Sequence, residues 1–235
     1  MLEKLREEVL EANLEVVRRG LVLYTWGNAS GIDRERGLVV IKPSGVDYSV
    51  LKPEHLVIVD LDGRPVEGDL NPSSDLPTHL VLYRAFPDVG GIVHTHSREA
   101  TAWAQSGREI PCFGTTHADY FHGPVPITAD LTEEEVDRAY EASTGEAIVR
   151  RFQGIEPLAS PGVLVRGHAP FAWGKSPKQA AFHAVVLEEI AALARRTVTL
   201  NPAATPIQKC VLDKHYLRKH GKNATYGQKG SASHV

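Results

Sequence analysis

Two histidines one residue apart, His94 and His96, are the side chains of this sequence best placed to bind a metal ion. They lie in the segment 90–97, whose apolar run predicts a buried strand. Alternate side chains of a strand share a face, so both imidazoles point the same way, with Cα atoms about 7 Å apart. Because neutral imidazole is the commonest metal ligand, we favour a metal site over the alternative of two core histidines bonded to backbone carbonyls.

Two further groups can complete this metal site. His168 follows the predicted strand 162–166, and Asp75 stands at the start of a predicted helix. Open α/β sheets bind ligands beyond the ends of their strands, and both His96 and His168 are expected at such ends. Three imidazole nitrogens and one carboxylate oxygen suit zinc or another mid-row divalent ion. With substrate oxygens in its shell, such an ion is a Lewis acid for a carbonyl group.

A turn after the predicted strand 38–42 has the residue types of an anion site. Ser44 and Gly45 offer a hydroxyl and backbone N–H donors, and Lys42 adds positive charge. The alternative is an ordinary turn without a ligand. The sequence therefore makes Lys42, Ser44 and Gly45 candidate phosphate contacts.

Two more segments are candidates for the same phosphate site. Ser73 and Ser74 precede a predicted helix, and a helix N-terminus attracts anions; the alternative is a well-capped helix. The segment 25–31, which contains Asn28, is too rich in glycine and asparagine for an ordinary strand interior. It is either a hairpin with a bulge or backbone that approaches a ligand closely. A divalent ion beside a phosphate cradle indicates a phosphorylated sugar as the ligand.

The elements that position these residues alternate between helix and strand, which predicts one α/β domain with a mixed central β-sheet. Ser97 is expected to cap the helix that follows the two histidines, and Thr132 with Glu135 forms a predicted capping box. Helices are predicted over 2–19, from 75 to 86, from 97 to 107, through the 130s, from 143, from 176 to 195 and over 206–220; strands are predicted over 38–42, 56–60, 64–67, 90–97 and 162–166.

Composition excludes several classes of protein. The chain has 235 residues, of which 42% are hydrophobic and 23% charged, as is ordinary for a globular domain. A net charge of −3 argues against a nucleic-acid binder. No apolar run is long enough to cross a membrane, and the charged N-terminus does not resemble a signal peptide. Two cysteines give no disulfide framework. We therefore expect a cytoplasmic enzyme.

Six segments of the chain closely resemble the epimerases of the class II aldolase/epimerase superfamily. They are 25–30 (Thr-Trp-Gly-Asn-Ala-Ser), 41–47 (Ile-Lys-Pro-Ser-Gly-Val-Asp), 72–75 (Pro-Ser-Ser-Asp), 92–97 (Ile-Val-His-Thr-His-Ser), 114–120 (Gly-Thr-Thr-His-Ala-Asp-Tyr) and 213–221 (Asp-Lys-His-Tyr-Leu-Arg-Lys-His-Gly). The resemblance runs from the first helix to Gln228 and so covers nearly the whole chain.

The resemblance implies the architecture and the cofactor. It implies a three-layer α/β/α domain over residues 1–228, followed by a disordered tail over 229–235. The cofactor implied is Zn²⁺, with Mn²⁺ or another divalent ion as the alternative. The resemblance also implies a small sugar phosphate as the ligand and a cyclic homotetramer with active sites at subunit interfaces.

The resemblance also assigns residues to roles. It carries metal ligation onto His94, His96 and His168, with Asp75 beside them. Phosphate and substrate contacts fall on Gly27, Asn28, Ser44, Gly45, Ser73 and Ser74. The acid/base pair falls on Asp119 and Tyr226, with the tyrosine donated by the neighbouring subunit, and His215 is expected near that interface.

The activity implied is epimerisation at C4 of L-ribulose 5-phosphate to D-xylulose 5-phosphate. A base takes the C4 hydroxyl proton, the C3–C4 bond breaks in a retro-aldol step, and the aldehyde turns and is attacked on its other face. Inversion needs a proton donor or acceptor on each side, hence two groups. One alternative is an aldolase that releases the aldehyde; such aldolases typically have Glu where this chain has Asp75. The other is a sugar-phosphate binding protein without turnover.

Overall fold

A single seven-stranded sheet forms the centre of the domain in the computed structural model, which describes residues 2–221 and 224. The strands are β1 (Gly27–Asp33), β2 (Leu38–Ile41), β3 (Val57–Asp60), β4 (Pro65–Glu67), β5 (Gly91–Thr95), β6 (Gly162–Leu164) and β7 (Pro170–Gly174). The helices are α1 (Glu3–Arg18), α2 (Leu76–Ala85), α3 (Arg98–Ser106), α4 (Thr115–Ala118), α5 (Glu133–Arg151), α6 (Pro177–Leu200) and α7 (Lys209–His220), with a 3₁₀ turn at Pro53–His55. The predicted tail over 229–235 and Tyr226 lie outside the described residues.

The strands follow the order β4-β3-β2-β1-β5-β7-β6, and every neighbouring pair is antiparallel. The α/β class is confirmed, but the prediction of a mixed sheet was wrong. Alternating helices and strands suggested parallel crossovers. The connections are long enough to return the chain to either end of the sheet, so the alternation alone does not determine strand direction.

Helices cover both faces of the sheet and produce three layers. Along β2, Val39 and Ile41 pack with side chains of α2 and α5, whereas Val40 packs with α1 and α6. This is the alternation expected of a strand that is buried on both faces. A third cluster joins α3 to the second half of α6. None of the helices within the described residues is long and apolar enough to cross a membrane.

The segment that contains Asn28 is a central strand, which the sequence reading did not predict. Its glycines fit because neighbouring elements approach closely: a Cβ at Gly31 would lie 2.7 Å from Pro177 and 2.8 Å from Leu5. Asn13 of α1 fixes the same strand by pairing with Ala29. Its Nδ2 donates to the Ala29 carbonyl at 3.2 Å, and its Oδ1 accepts from the Ala29 N–H at 2.9 Å.

The helix after His96 begins where the sequence predicted, but a different side chain caps it. Ser97 occupies the N-cap position of α3, but its side chain makes no capping bond. The carboxylate of Glu188, in α6, accepts instead from the N–H groups of Glu99 and Ala100, both at 2.9 Å. An anion at a helix N-terminus accepts hydrogen bonds from the free N–H groups and interacts favourably with the positive end of the helix dipole. Tertiary packing therefore holds α3, and with it the end of β5.

The helix α5 contains a break that matters for the site. The predicted capping box of Thr132 and Glu135 is present at its start. Ala139 then has non-helical φ and ψ of −172° and 83°, so α5 consists of two helical parts. This agrees with the prediction of separate helices through the 130s and from 143.

Candidate active site

Three imidazoles converge where β5 ends beside the start of β7. The pairing of β5 with β7 places His94 opposite Phe171, and His168 lies in the turn just before β7. The Nε2 atoms of His94 and His96 are 3.1 Å apart, and one ring nitrogen of each of the three histidines lies within 4.8 Å of the others. The structure thus brings together the three histidines that the sequence proposed as ligands.

The contacts of these rings fit a bound cation. Nδ1 of His94 lies 3.0 Å from the carbonyl oxygen of Pro170 and donates to it, because a carbonyl can only accept. In the neutral ring Nε2 therefore carries a lone pair, and it faces Nε2 of His96. Nδ1 of His168 is buried and has no hydrogen-bond partner among the described residues. A divalent ion would satisfy the converging nitrogens, one from each ring, so the donor set fits a zinc-type metal.

Burial keeps all three rings in the form that binds a metal. It lowers the pKa of His94 to about 3 and also lowers the pKa of His96 and of His168. Each ring is therefore neutral near pH 7, and metal ligation requires neutral imidazole.

Asp75 supplies negative charge beside the histidines. Its Oδ2 lies 4.0 Å from Nε2 of His94 and accepts a hydrogen bond of 2.6 Å from Nδ2 of Asn28. Burial opposes ionisation of this carboxyl, yet nearby histidines and the Asn28 bond hold its pKa below the ordinary value. Because His94 is neutral near pH 7, the hydrogen bond from the Asn28 amide is the contact that favours the ionised carboxylate at that pH. The expected position of Asp75 beside the metal site agrees with this geometry.

The candidate phosphate residues share one cavity with the metal site. Its volume is about 640 Å³. The predicted residues that line it are Gly27, Asn28, Lys42, Ser44, Gly45, Ser73, Ser74, Asp75, His94, His96 and His168. Two segments, 42–45 and 71–74, form the phosphate cradle, and backbone hydrogen bonds join them. Ser44 N–H donates to the Asn71 carbonyl at 2.9 Å, and Ser73 N–H donates to the Lys42 carbonyl at 3.0 Å.

Asn28 stands between the two halves of the cavity. Its Nδ2 donates to Ser73 Oγ at 3.0 Å as well as to Asp75, so both amide N–H groups are used. Its Oδ1 is buried and has no partner among the described residues. An anionic phosphate needs donors, and both amide N–H groups of Asn28 are already used within the chain.

Lys42 is the buried cation of the cradle. Its side chain is 2% exposed, and its Nζ donates to the Pro43 carbonyl at 3.2 Å. Burial lowers the pKa of Lys42 to about 8, and the charge of Asp47 only partly opposes this shift. The ammonium form therefore predominates near pH 7 and is lost as the pH rises through about 8.

Two residues of the cavity wall were missed by the sequence reading. Tyr140 and Glu141 follow the break at Ala139 and line the cavity, and the ring centroid of Tyr140 is 6.0 Å from that of His168. Thr78 Oγ1 donates to the Glu141 carbonyl at 2.6 Å and holds this corner against α2. The sequence feature that could have located Tyr140 and Glu141 is the gap between the helix predicted through the 130s and the helix predicted from 143.

Asp119 and His215 form a second polar cluster and do not line this cavity. His215 Nδ1 lies 3.0 Å from Asp119 Oδ1, and Arg218 donates to both carboxylate oxygens at 3.0 and 3.1 Å. Burial opposes the charge of Asp119, but these contacts and Lys219 hold its pKa below the ordinary value. The third expected participant, Tyr226, lies outside the described residues.

The antiparallel sheet between helical layers, with a histidine cluster beside an anion cradle, is the arrangement expected of a class II aldolase domain. Residues 7–194 match the family described as Class II Aldolase and Adducin N-terminal domain, and the chain belongs to this family. Among curated proteins, L-ribulose-5-phosphate 4-epimerase UlaF of Salmonella paratyphi C is 54% identical over 228 residues, which are 97% of this chain and 100% of that protein. The same enzyme of Salmonella typhi matches with the same identity and coverage.

Solved structures agree on the fold. An L-fuculose 1-phosphate aldolase superposes with a TM-score of 0.77 at 23% identity, over 92% of this chain and 96% of the aldolase. YgbL of Klebsiella pneumoniae superposes with a TM-score of 0.72 at 25% identity, over 91% of this chain and 99% of YgbL.

We expect the purified protein to bind one Zn²⁺ per chain through the histidine cluster. Replacing His168 with alanine removes one nitrogen ligand, so calorimetric Zn²⁺ affinity should fall by at least about tenfold to a hundredfold. His122→Ala is the matched control, because that ring is exposed and contacts Asp213 in another part of the surface. Equal affinity in the His168 variant and the wild type would contradict the site.

Proposed function

We propose that this protein is a divalent-metal-dependent epimerase that interconverts L-ribulose 5-phosphate and D-xylulose 5-phosphate by inversion at C4. The observation that carries the proposal is that one cavity contains both a cluster of neutral histidines and a phosphate-type cradle. The 54% identity to L-ribulose-5-phosphate 4-epimerases over nearly the full length supports the same reaction and substrate. The ion proposed is zinc, with Mn²⁺ or another divalent ion as the alternative.

The cradle would bind the substrate by its phosphate. Lys42 supplies positive charge, and the segments with Ser44, Gly45, Ser73 and Ser74 supply hydroxyl and backbone donors. A phosphoryl group held at this end directs the carbonyl end of the sugar toward the histidines. The cavity is large enough for a pentulose phosphate, since binding sites for small molecules range from about 300 to 1,000 Å³.

The reaction needs stabilisation of negative charge on the carbonyl half of the sugar, and it needs proton transfer at the C4 hydroxyl. When bound by the three histidines, a divalent ion supplies Lewis acidity that offsets negative charge on the carbonyl half as the C3–C4 bond breaks. The hydrogen bond from Asn28 keeps Asp75 beside the histidines. The cradle holds the aldehyde fragment by its phosphate while the aldehyde group turns.

We assign proton transfer to and from the C4 oxygen to Asp119 and Tyr226, with one residue on each face of C4. Burial opposes ionisation of Asp119, but its contacts with His215 and Arg218 keep its pKa below the ordinary value, so near neutral pH it is a carboxylate that can accept a proton. A tyrosine with an ordinary pKa near 10 can protonate an alkoxide. These two residues account for inversion, which requires one group on each side of the centre.

A neighbouring subunit must complete the site in this proposal. Asp119 and His215 do not line the cavity of their own chain, so they can act only if another copy brings them to it. The aromatic side chains of Tyr24 and Trp26 are 79% and 55% exposed, and Trp26 lies on the cavity wall. Exposed apolar groups beside a site are typical of an interface. We infer a homotetramer with active sites between subunits.

Incubation of the metal-loaded protein with L-ribulose 5-phosphate tests the reaction. We expect D-xylulose 5-phosphate to accumulate, whereas an aldolase would release an aldehyde phosphate and a binding protein would yield no product. Asp119→Asn should keep the fold and Zn²⁺ affinity but lower turnover by about a hundredfold or more, which is the usual effect of removing a general base. Asp137→Asn, at an exposed position of α5, should retain full activity. Normal turnover by the Asp119 variant would refute the acid/base assignment.

The lowered pKa of Lys42 predicts how substrate binding depends on pH. The ammonium is the form that attracts a phosphate dianion, and raising the pH through about 8 removes it. KM should therefore rise by about tenfold per pH unit above 8. Lys42→Met should have a KM about tenfold to a hundredfold higher that changes little between pH 7 and pH 10. A wild-type KM that stays constant over that range would show that Lys42 does not bind the phosphate.

A further inference from the structure

We propose that Tyr48 is a positioning residue of the phosphate cradle, with its ring holding the ammonium of Lys42 and its hydroxyl holding the strand that carries Asn28. The inference rests on the proposed function only in that Lys42 is taken to bind a phosphoryl group. Tyr48 itself does not line the cavity, so it acts through Lys42 and Gly27.

The ring of Tyr48 lies under the charged end of Lys42. Nζ of Lys42 is 4.6 Å from the ring centroid, within the distance over which the negative face of an aromatic ring attracts a cation. Both residues are buried, with 2% of Lys42 and 6% of Tyr48 exposed. Removal of water strengthens such an attraction, because little solvent remains to screen it.

The ring stabilises the ammonium without neutralising it. Among the described residues Asp47 is the carboxylate that raises the pKa of Lys42, yet it forms no ion pair with the ammonium. Nζ has three N–H groups, of which the Pro43 carbonyl accepts one and the ring face attracts a second. One N–H and the full charge are left for an anion in the cavity. A carboxylate in place of the ring would compete with that anion.

The hydroxyl of Tyr48 connects the segment that follows Lys42 to β1. It donates to the Gly27 carbonyl at 2.8 Å, one residue before Asn28. Gly27 has a φ of +154°, and a Cβ there would lie only 2.9 Å from the His94 carbonyl oxygen, so this stretch of backbone is closely confined. Burial raises the pKa of Tyr48 well above its ordinary value, so the hydroxyl stays protonated as a donor. Tyr48 thus contacts both Lys42, through its ring, and the backbone beside Asn28, through its hydroxyl.

Inorganic phosphate is the probe for this role, measured as a competitive inhibitor and by calorimetry with the metal-loaded protein. Tyr48→Phe keeps the ring but loses the hydrogen bond to the Gly27 carbonyl, so phosphate should bind about twofold to fivefold more weakly than in the wild type. Tyr48→Leu loses the ring and should bind phosphate about fivefold to thirtyfold more weakly, with KM raised more than kcat is lowered. In a Lys42→Met background Tyr48→Phe and Tyr48→Leu should bind phosphate equally, because both lack the hydroxyl and the ring no longer has a cation to hold.

The outcomes separate this inference from the proposed function. If Lys42→Met binds phosphate as tightly as the wild type, the cradle assignment itself fails. If Lys42→Met weakens phosphate binding but Tyr48→Leu binds phosphate more weakly than Tyr48→Phe by the same factor with and without Lys42, only the role of the Tyr48 ring is overturned.

A second series covers the case in which Tyr48→Leu does not fold. Phenylalanines with increasing numbers of ring fluorines at position 48 weaken the negative face of the ring at nearly constant shape. Phosphate affinity should fall stepwise along this series while Zn²⁺ affinity stays constant. Phosphate affinity that does not change along the series would overturn the inference.

Discussion

The pairing of β5 between β1 and β7 is the constraint on which the site depends. In this ladder His94 lies opposite Asn28 on one side and opposite Phe171 on the other. Its ring packs on Phe171 with centroids 4.3 Å apart, and the Pro170 carbonyl fixes its tautomer. A shift of one residue would turn His94 and His96 to the opposite face of the sheet. Two antiparallel neighbours therefore determine where the imidazole nitrogens meet.

The same ladder sets the distance between the two chemical halves of the cavity. Asn28, fixed in β1, donates to Asp75 beside the histidines and to Ser73 in the cradle. The half with neutral rings and one carboxylate attracts a cation, and the half with Lys42 attracts an anion. A ligand with a phosphate at one end and metal-binding oxygens at the other fits this separation of charge. The opposed charges define the orientation of a sugar phosphate before any reaction takes place.

Local patterns in the sequence were enough to predict much of the site. The alternation of side chains along a strand put His94 and His96 on one face, and the turn and helix signals located Ser44, Ser73 and Asp75. The resemblance to a known superfamily supplied the connection between them, and the structure brings these residues to one cavity. It leaves the roles of Asp119 and Tyr226 as proposals, because Asp119 does not line that cavity and Tyr226 is outside the described residues.

What the sequence did not predict depends on contacts between distant segments. The strand β1 looked too rich in glycine, and only the close approach of Leu5 and Pro177 explains why small residues are needed there. Strand direction follows from the paths of long connections, which carry no local signal. Capping of α3 by Glu188 joins positions 89 residues apart, so Ser97 was the natural but wrong candidate. The wall formed by Tyr140 likewise depends on a break in a helix rather than on a motif.

The most direct test of the central claim is X-ray absorption at the zinc edge of the metal-loaded protein. One cation bound by imidazoles from two separated parts of the chain predicts a first shell with three nitrogen ligands at about 2.0–2.1 Å and the multiple scattering typical of histidine. His168→Ala should reduce the imidazole contribution by one ring. A shell made only of oxygen atoms, or a spectrum that His168→Ala leaves unchanged, would contradict the claim.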